Sequence, residues 1–354
     1  MPLGGGKDKA LKQAFTDVVG NSSLKKKLTD DILQKKLSHA YILEGAWGTG
    51  KHMLALRVAA ALACERSDQD AYPLPCMTCP ACRKILAGNS PDIIYINRKE
   101  KATLGVEEIR GLKSDVYIPP NDLEVKIYIV EDAHLMTSQA QNAFLLTLEE
   151  PPAYVLFLLL CESTATLLET VKSRAPTLRT EPIPWEDSLR YLLESNDEAK
   201  ALQKASPHEL EEILAASDGS IGKARALLDP AARKPILAKR EMAREFVRLV
   251  TGSRNGAATL RFIKALGTKR DELISCLQMI RLCLRDLLLL KQTEGAPLCF
   301  FANREEALGL SDSFTTPELL QLCDELENTC DKLGMNANVR LTLTDLAVKT
   351  GLLQ

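Results

Sequence analysis

One short segment, Gly-Ala-Trp-Gly-Thr-Gly-Lys-His at residues 45–52, constrains the fold of this 354-residue chain more than any other feature. It fits the pattern G-x-x-x-x-G-K, follows the apolar run Ala40–Glu44 and opens the helical pattern Lys51–Leu62. In this context the glycines let backbone N–H groups face a phosphate, and the lysine reaches its β- and γ-oxygens. The segment predicts a phosphate-binding loop whose candidate nucleotide-binding residues are Gly45, Gly48, Thr49, Gly50, Lys51 and His52.

The eighth position of the loop departs from the usual pattern. His52 stands where a Ser or Thr hydroxyl normally ligates Mg²⁺, and imidazole is a poor substitute because this hard cation prefers oxygen ligands. Two interpretations stay open from the residues alone. The loop either binds ATP with Mg²⁺, or it is vestigial and keeps its shape without hydrolysing nucleotide.

A second element of a nucleotide site follows the apolar run Ile127–Val130. Glu131 and Asp132 stand here in the order opposite to the usual Asp-Glu pair, whose first acid organises the Mg²⁺ shell and whose second positions the attacking water. The exchange changes the reach of each carboxylate by a methylene, and catalysis is sensitive to displacements of about 1 Å. The inversion argues against hydrolysis by this chain, although two acids that merely cap a strand give the same letters.

The distribution of apolar segments predicts an α/β domain followed by helices. Short continuous apolar runs alternate with helical patterns up to about residue 180, as in a doubly wound parallel sheet buried on both faces. The predicted strands are Ala40–Glu44, Ile93–Ile96, Val125–Val130, Tyr154–Leu160 and Thr177–Arg179. We therefore expect a flexible tail at 1–14, the α/β domain at 15–180, a small helical domain at 181–231 and an all-α domain at 232–354.

A dense cysteine triplet interrupts the α/β pattern. Cys76, Cys79 and Cys82 are separated by two residues each, and Cys64 lies eleven intervening residues upstream. Four thiolates so spaced can close a tetrahedral Zn²⁺ site with no open position for catalysis. The spacing predicts a structural zinc knuckle at 64–82 inserted in the α/β domain, with free thiols as the alternative.

Composition excludes several classes of protein. The 45 basic and 47 acidic residues leave a net charge of −2, so bulk coating of nucleic acid by positive charge is not expected. The longest apolar run, Tyr154–Cys161, is far shorter than the roughly 20 residues of a membrane span. The first ten residues contain no apolar secretion-signal core, which predicts a cytoplasmic location without membrane contact.

Several stretches together resemble the bacterial DNA polymerase III clamp-loader ATPases of the AAA+ class. Phe15–Gly20 is similar to the family's adenine-side box, Ser38–Tyr41 to the lead-in of its phosphate loop, and Gln141–Pro152 to its N-A-L-L-K-x-L-E-E-P-P stretch. The cysteine knuckle also sits where the family has its zinc module. The resemblance covers residues 15–230 and implies an AAA+ domain, a helical lid at 181–231 and a C-terminal collar domain that mediates oligomerisation.

The resemblance gives Arg174 a role. Ser173-Arg174-Ala175 falls where the family has Ser-Arg-Cys, whose arginine points into the ATP site of the neighbouring subunit. A guanidinium placed there offsets the charge of the transferring phosphoryl group, so Arg174 is the candidate arginine finger acting in trans. An ordinary exposed arginine after a helix is the alternative.

The departures from the family point to one type of subunit. The family's motor subunits carry Gly-Ser-x-Arg in the lid, where this chain reads Gly219-Ser220-Ile221-Gly222, and a Thr after the fourth strand, where it has Cys161 or Glu162. A damaged ATP site beside a retained Arg174 resembles the delta-prime subunit. That likeness implies no independent catalysis, a hetero-oligomer with gamma/tau and delta subunits, and contact with the sliding clamp and primer-template DNA through the complex.

Two competing interpretations remain. Lys51 with Glu131 and Asp132 would suit a gamma/tau-type ATPase that binds and hydrolyses ATP itself. The knuckle with its adjoining Arg83 and Lys84, or the basic stretch Lys25–Lys27, could instead contact nucleic acid. No pair of carboxylates stands in the setting of a two-metal nucleotidyl-transfer site, so polymerase chemistry is not expected of this chain.

Overall fold

The computed structural model describes residues 13–69, 71–252, 256–293, 298–335 and 337–352, and the tail predicted at 1–14 lies outside them except for its last two residues. The described chain forms two compact units. The first runs to Ser188 and includes the separate segment Ser220–Gly222, and the second contains Leu189–Gly219 and everything from Lys223 onward. The predicted boundaries at 181 and 232 remain a proposal.

A five-stranded parallel sheet organises the first unit and confirms the predicted α/β fold. Its strands, in the spatial order β2-β3-β4-β1-β5, are all paired in parallel. Three predicted strands match the observed bounds, Val125–Val130 begins one residue early, and Tyr154–Leu160 is displaced by one residue at both ends. The strands are β1 (Ala40–Glu44), β2 (Ile93–Ile96), β3 (Lys126–Val130), β4 (Val155–Cys161) and β5 (Thr177–Arg179).

Helices cover both faces of this sheet, as a parallel sheet requires. On one face α2 packs with α1 and the cysteine segment against Leu43, Ile129 and Leu158. On the other, α4, α5 and α6 pack against Ile42, Tyr128 and Phe157. The helices are α1 (Ser22–Leu33), α2 (Lys51–Leu62), α3 (Pro80–Leu86), α4 (Val106–Asp115), α5 (Ser138–Glu149) and α6 (Glu169–Lys172).

The remaining helices confirm the prediction that strands stop after residue 180 among the described residues. They include the three predicted at Trp185–Leu193, Pro207–Ala216 and Ile221–Leu227, the first of which extends to Ser195. These helices are α7 (Trp185–Ser195), α8 (Asp197–Ala205), α9 (Pro207–Ala216), α10 (Ile221–Leu227), α11 (Pro230–Thr251), α12 (Gly256–Leu266), α13 (Arg270–Gln292), α14 (Arg304–Ser311), α15 (Thr316–Gly334) and α16 (Val339–Lys349).

The core of the second unit combines apolar packing with a buried ionic network. Helices α11, α13 and α15 share a large apolar cluster that includes Phe246, Leu277 and Leu326. Within it Arg240 is fully buried and Arg244 nearly so, and both pair with the Glu212 carboxylate of α9 at 3.4 and 2.6 Å. In the part of the chain that the structure describes, none of the helices has the length and apolar character that a bilayer crossing demands.

Candidate functional site

The phosphate loop lies between β1 and α2, where the sequence places it. Gly48 and Gly50 have φ angles of 79° and 87°, a left-handed region that favours glycine, and Gly50 caps the start of α2. A Cβ on Gly45 would lie 1.8 Å from the hydroxyl oxygen of Thr180, so this position tolerates only glycine unless Thr180 moves. The sequence therefore meets the backbone requirements of the loop.

Lysine 51 folds back onto its own loop. Its ammonium donates to the carbonyl oxygens of Gly45 at 2.5 Å and Ala46 at 2.8 Å. Burial lowers the pKa of Lys51, while the nearby Glu162 and Asp132 carboxylates oppose that effect. A phosphate bound in this loop would have to compete with two backbone carbonyls for the hydrogen bonds of the Lys51 ammonium.

Two residues of the segment Ser220–Gly222 contact the other side of the loop within the same unit. The Ser220 hydroxyl donates to the Trp47 carbonyl at 2.9 Å, and the Gly222 N–H donates to the Gly48 carbonyl at 2.9 Å. A Cβ on Gly222 would lie 2.6 Å from the Gly48 Cα. The approach is possible because position 222 has no side chain.

The corner of the site that would hold Mg²⁺ contains a histidine–glutamate pair. His52 Nδ1 lies 3.1 Å from Glu131 Oε1, and the imidazole stacks on the Tyr95 ring with centroids 5.5 Å apart. The first acid after β3 thus contacts the residue that replaces the usual hydroxyl. An imidazole offers nitrogen where Mg²⁺ prefers oxygen, so this arrangement suits the cation poorly.

The second acid points to a different partner. Asp132 has a left-handed φ of 49° and pairs with Arg98, whose Nε lies 3.1 Å from its carboxylate. At the end of β4, Cys161 is the register partner of Glu44, the last residue before the loop. Burial, with the Glu44 carboxylate, raises the pKa of Cys161 to about 12 and keeps its thiol protonated at neutral pH. The structure thus brings Glu131 to His52, whereas Asp132 pairs with Arg98 and still lies near the Lys51 ammonium.

The four cysteines of the predicted knuckle come together. All four are buried, and their sulfurs lie within 4.8 Å of one another. A tetrahedral Zn²⁺ with bonds of about 2.3 Å separates its sulfurs by about 3.8 Å, close to the 4.0 Å between Cys76 and Cys82. Of the other six cysteines, Cys161, Cys276 and Cys283 are buried, and Cys299, Cys323 and Cys330 are partly buried.

Backbone donors around the sulfurs suit a metal-bound state. The N–H groups of Cys76, Cys79 and Cys82 point at the sulfurs of Cys64, Cys76 and Cys79, at 3.4, 3.3 and 3.4 Å. Burial raises the pKa of Cys76, but these and neighbouring hydrogen bonds outweigh it and bring the pKa to about 6. Burial instead raises the pKa of Cys64 and of Cys82, whose protons a bound metal would displace. The four residues can hold a metal ion because their sulfurs lie together and backbone donors orient three of them.

Arginine 174 lies just beyond α6 and is held at the surface by its own chain. Its Nη2 donates to Glu149 Oε1 at 2.6 Å, and its Nη1 donates to the Thr170 carbonyl at 2.9 Å. The side chain remains 31% exposed, whereas the neighbouring Ala175 is fully buried. The predicted finger residue is thus accessible and directed by a carboxylate from another helix.

The basic residues considered as nucleic-acid contacts are partly engaged elsewhere. Lys84 pairs with Asp122, and the Lys25 ammonium donates to the Val18 carbonyl at 2.7 Å. Burial also lowers the pKa of Lys25. These contacts give the nucleic-acid interpretation of the two stretches no support.

Three features of the site were not found from the sequence. One is the contact between His52 and Glu131, which are 79 positions apart. The others are the contact of Ser220 with Trp47, across 173 positions, and the Glu149–Arg174 pair, across 25 positions. Parallel strand pairing could have placed Glu131 and His52 at the same sheet edge, because the carboxyl ends of all strands of a parallel sheet lie there, although β4 separates β3 from β1. The other two contacts leave no signal in local spacing.

This fold and loop define an α/β domain of the phosphate-loop class. Residues 20–184 match the family model described as "DNA polymerase III, delta subunit". DNA polymerase III subunit tau of Bacillus subtilis is 36% identical over 219 residues, which cover 62% of this chain and 38% of that protein. Subunit tau of Escherichia coli is 32% identical over 221 residues, which cover 62% of this chain and 33% of that protein.

The matched region therefore spans less than half the length of these curated relatives. Among solved structures, a DNA polymerase III gamma subunit-related protein from Thermotoga maritima aligns over 92% of this chain and 98% of that chain, with 20% identity and a TM-score of 0.42. That likeness is too distant to carry a conclusion. The sequence matches show that residues 20–184 are similar to the DNA polymerase III delta-subunit model and that part of the chain is homologous to tau and gamma subunits.

Proposed function

We propose that the chain is a delta-prime-like AAA+ subunit of a DNA polymerase III clamp loader. It would donate Arg174 to the ATP site of a neighbouring gamma/tau subunit and so assist ATP-driven loading of the sliding clamp onto primer-template DNA. Its assembly would be a hetero-oligomer with gamma/tau and delta subunits, and the chain itself would have little or no ATPase activity.

The observation that carries this proposal is the contrast between the loop and the arginine. The Trp47 and Gly48 carbonyls of the loop accept hydrogen bonds from Ser220 and Gly222. The pair of His52 and Glu131 occupies the position where Mg²⁺ would bind. Arg174, in contrast, is accessible and oriented. A chain whose own site lacks the usual Mg²⁺-binding hydroxyl while its outward cation is ordered is suited to complete a neighbour's site.

Arg174 has the chemistry that such a site needs. A planar guanidinium can donate two parallel hydrogen bonds to phosphate oxygens and offset the charge that spreads over them during phosphoryl transfer. The neighbour would supply the phosphate loop, Mg²⁺ and the attacking water. Arg174 would therefore act on bound nucleotide without this chain binding any.

The helices of residues 232–354 support the proposed collar. Leu320, Leu341 and Val348, on α15 and α16, are exposed at 45%, 72% and 53%. Contiguous exposed apolar side chains mark interaction surfaces, and these three side chains are the candidates for such a patch. We propose that α15 and α16 contribute to the interface with neighbouring subunits.

Zinc is the metal that the cysteine cluster fits best. Four thiolates without an open position are typical of structural Zn²⁺ sites. Cys64, Cys76, Cys79 and Cys82 would hold the ion, which would fix the segment between α2 and α3. It would take no part in phosphoryl transfer.

The test of the arginine role is Arg174→Ala in the reconstituted complex. We expect DNA-stimulated ATP hydrolysis to fall by about 10²-fold or more, because arginine fingers contribute on the order of 10³–10⁵ in related phosphoryl transfer. Lys172→Ala is the matched control, since it removes a cation from the same turn and leaves the guanidinium in place. Equal turnover in Arg174→Ala and wild-type complexes would overturn the proposal.

A gamma/tau-type ATPase is the second candidate, favoured by the 36% identity to subunit tau and by the intact Lys51. The two candidates differ in what the purified chain does alone. Rapid ATP turnover by the isolated chain, abolished by Lys51→Ala, would establish this candidate. Absence of turnover together with a strong Arg174→Ala effect in the complex would support the delta-prime-like role.

A further inference from the structure

The orientation of Arg174 depends on one contact from a separate element. Two of its hydrogen bonds stay within its own turn, to the Thr170 carbonyl at 2.9 Å and to the Ser173 hydroxyl at 3.4 Å. The third, from Nη2 to Glu149 Oε1 at 2.6 Å, crosses to the end of α5. Only this last bond fixes the direction of the guanidinium relative to the sheet.

Both residues of that bond lie on backbone segments that are packed in the core of the first unit. Glu149 is the last residue of α5, whose Phe144 and Leu148 are fully buried. Val171 and Ala175, on either side of Arg174, are fully buried in the same apolar cluster. The backbones that present the carboxylate and the guanidinium are therefore held in place by packing.

The pair itself is a poor source of stability. The Arg174 and Glu149 side chains are 31% and 44% exposed, and ion pairs so exposed contribute little to folding because solvent screens them. An exposed carboxylate can also be exchanged for a phosphate, which offers the same planar donor fork a stronger pair of acceptors. The geometry suits a carboxylate that orients the arginine and is then replaced by a phosphate as the hydrogen-bond acceptor.

We propose that Glu149 is a positioning residue for Arg174. It fixes the direction of the guanidinium before the neighbouring triphosphate arrives, and it is replaced as the acceptor when Arg174 contacts the phosphates. This inference rests on the proposed function. It assigns Glu149 no contact with nucleotide and no proton transfer.

The experiment compares Glu149→Ala and Glu149→Gln in the reconstituted complex. We expect Glu149→Ala to lower kcat for DNA-stimulated ATP hydrolysis about tenfold with little change in KM, since misplacing a reacting group by about 1 Å can cost on the order of 10²-fold. Glu149→Gln keeps an acceptor oxygen without the charge and should fall between wild type and Glu149→Ala. The melting temperature of each variant should change by no more than about 2–4 °C.

Glu150→Ala is the matched control. Glu150 adjoins Glu149, is exposed, and has no hydrogen bond or ion pair among the described residues. It removes the same negative charge from the same surface without touching Arg174. A tenfold loss in Glu150→Ala as well would attribute the effect to surface charge and overturn the positioning role.

The double variant separates this inference from the proposed function. If Glu149 acts through Arg174, Glu149→Ala should have no further effect in an Arg174→Ala complex, because the two residues share one pathway. An additive loss would overturn the inference. If Arg174→Ala alone has no effect, the proposed function fails; if it has its effect and Glu149→Ala retains full kcat, only the positioning role fails.

Discussion

At the scale of single residues, the absence of a side chain at position 222 allows the segment Ser220–Gly222 to contact the phosphate loop through its backbone. The Gly222 N–H reaches the Gly48 carbonyl only because nothing projects from its Cα toward the loop, where an added Cβ would also lie 2.9 Å from that carbonyl oxygen. An arginine at this position would therefore have to stand further from the loop. The lack of a Cβ at this one position thus permits a direct backbone contact with the loop.

Gly222→Ala should consequently destabilise the first unit. The Cβ forces the Gly48 contact apart, and overpacking of this kind typically costs about 1–3 kcal/mol. Gly111→Ala is the control, because Gly111 lies inside α4 with nothing within 4 Å of its Cβ position, and alanine there should stabilise by about 0.5–1 kcal/mol. Urea titrations of the two variants should shift the midpoint in opposite directions, and a Gly222→Ala midpoint at or above wild type would contradict this account.

At the scale of elements, the cysteine segment has a few contacts with its surroundings and four sulfurs that can hold a metal ion. It packs against Ala60 and Ala61 of α2, and the Phe15 N–H donates to the Leu74 carbonyl at 2.8 Å. Between α2 and α3 the described chain contains no strand, so sulfur ligation is the main constraint that its own residues can supply. Metal loss should therefore loosen this segment more than the sheet.

Cys79→Ser should remove the metal. Hydroxyl is a much poorer Zn²⁺ ligand than thiolate, and a structural site needs four good ligands, so metal analysis should fall from about one zinc per chain toward zero. Cys323→Ser, at a partly buried cysteine of α15 outside the cluster, is the control and should keep its zinc. Wild-type zinc content in Cys79→Ser, or zinc-free wild-type protein from zinc-replete growth, would refute the assignment.

The elements were largely predictable because their signals are local. Strands such as Ala40–Glu44 and Val155–Cys161 are continuous apolar runs, and the loop and the cysteines follow fixed spacings. The Arg174–Glu149 pair was not predictable, since it depends on the position of one element in space relative to another. For His52 and Glu131, a parallel sheet predicts a common edge but not the contact itself. The sequence thus indicates which residues carry chemistry, and the fold decides which of them meet.

At the scale of the whole molecule, the second unit depends on a buried charge cluster as well as on apolar packing. Arg240 has its guanidinium over the Phe300 ring at 4.5 Å, and both Arg240 and Arg244 use the Glu212 carboxylate. Burial lowers the pKa of Arg240 and the Glu212 carboxylate opposes that effect, so the cation is tolerated because its partner is present. Glu212 joins α9 to α11 within this unit.

Glu212→Gln should destabilise the second unit strongly. Removing one partner of a buried ion pair leaves the other charge uncompensated, which typically costs about 3–5 kcal/mol. Glu211→Gln, one residue away and exposed, is the control and should change little.

Far-UV circular dichroism in urea should show the loss of helix at lower denaturant in Glu212→Gln. Trp47 and Trp185, the only tryptophans of the sequence, both belong to the first unit and give a separate fluorescence signal for that unit. A dichroism midpoint equal to that of Glu211→Gln would mean that the cluster contributes no net stability, and that the apolar faces of α11, α13 and α15 suffice to hold the second unit together.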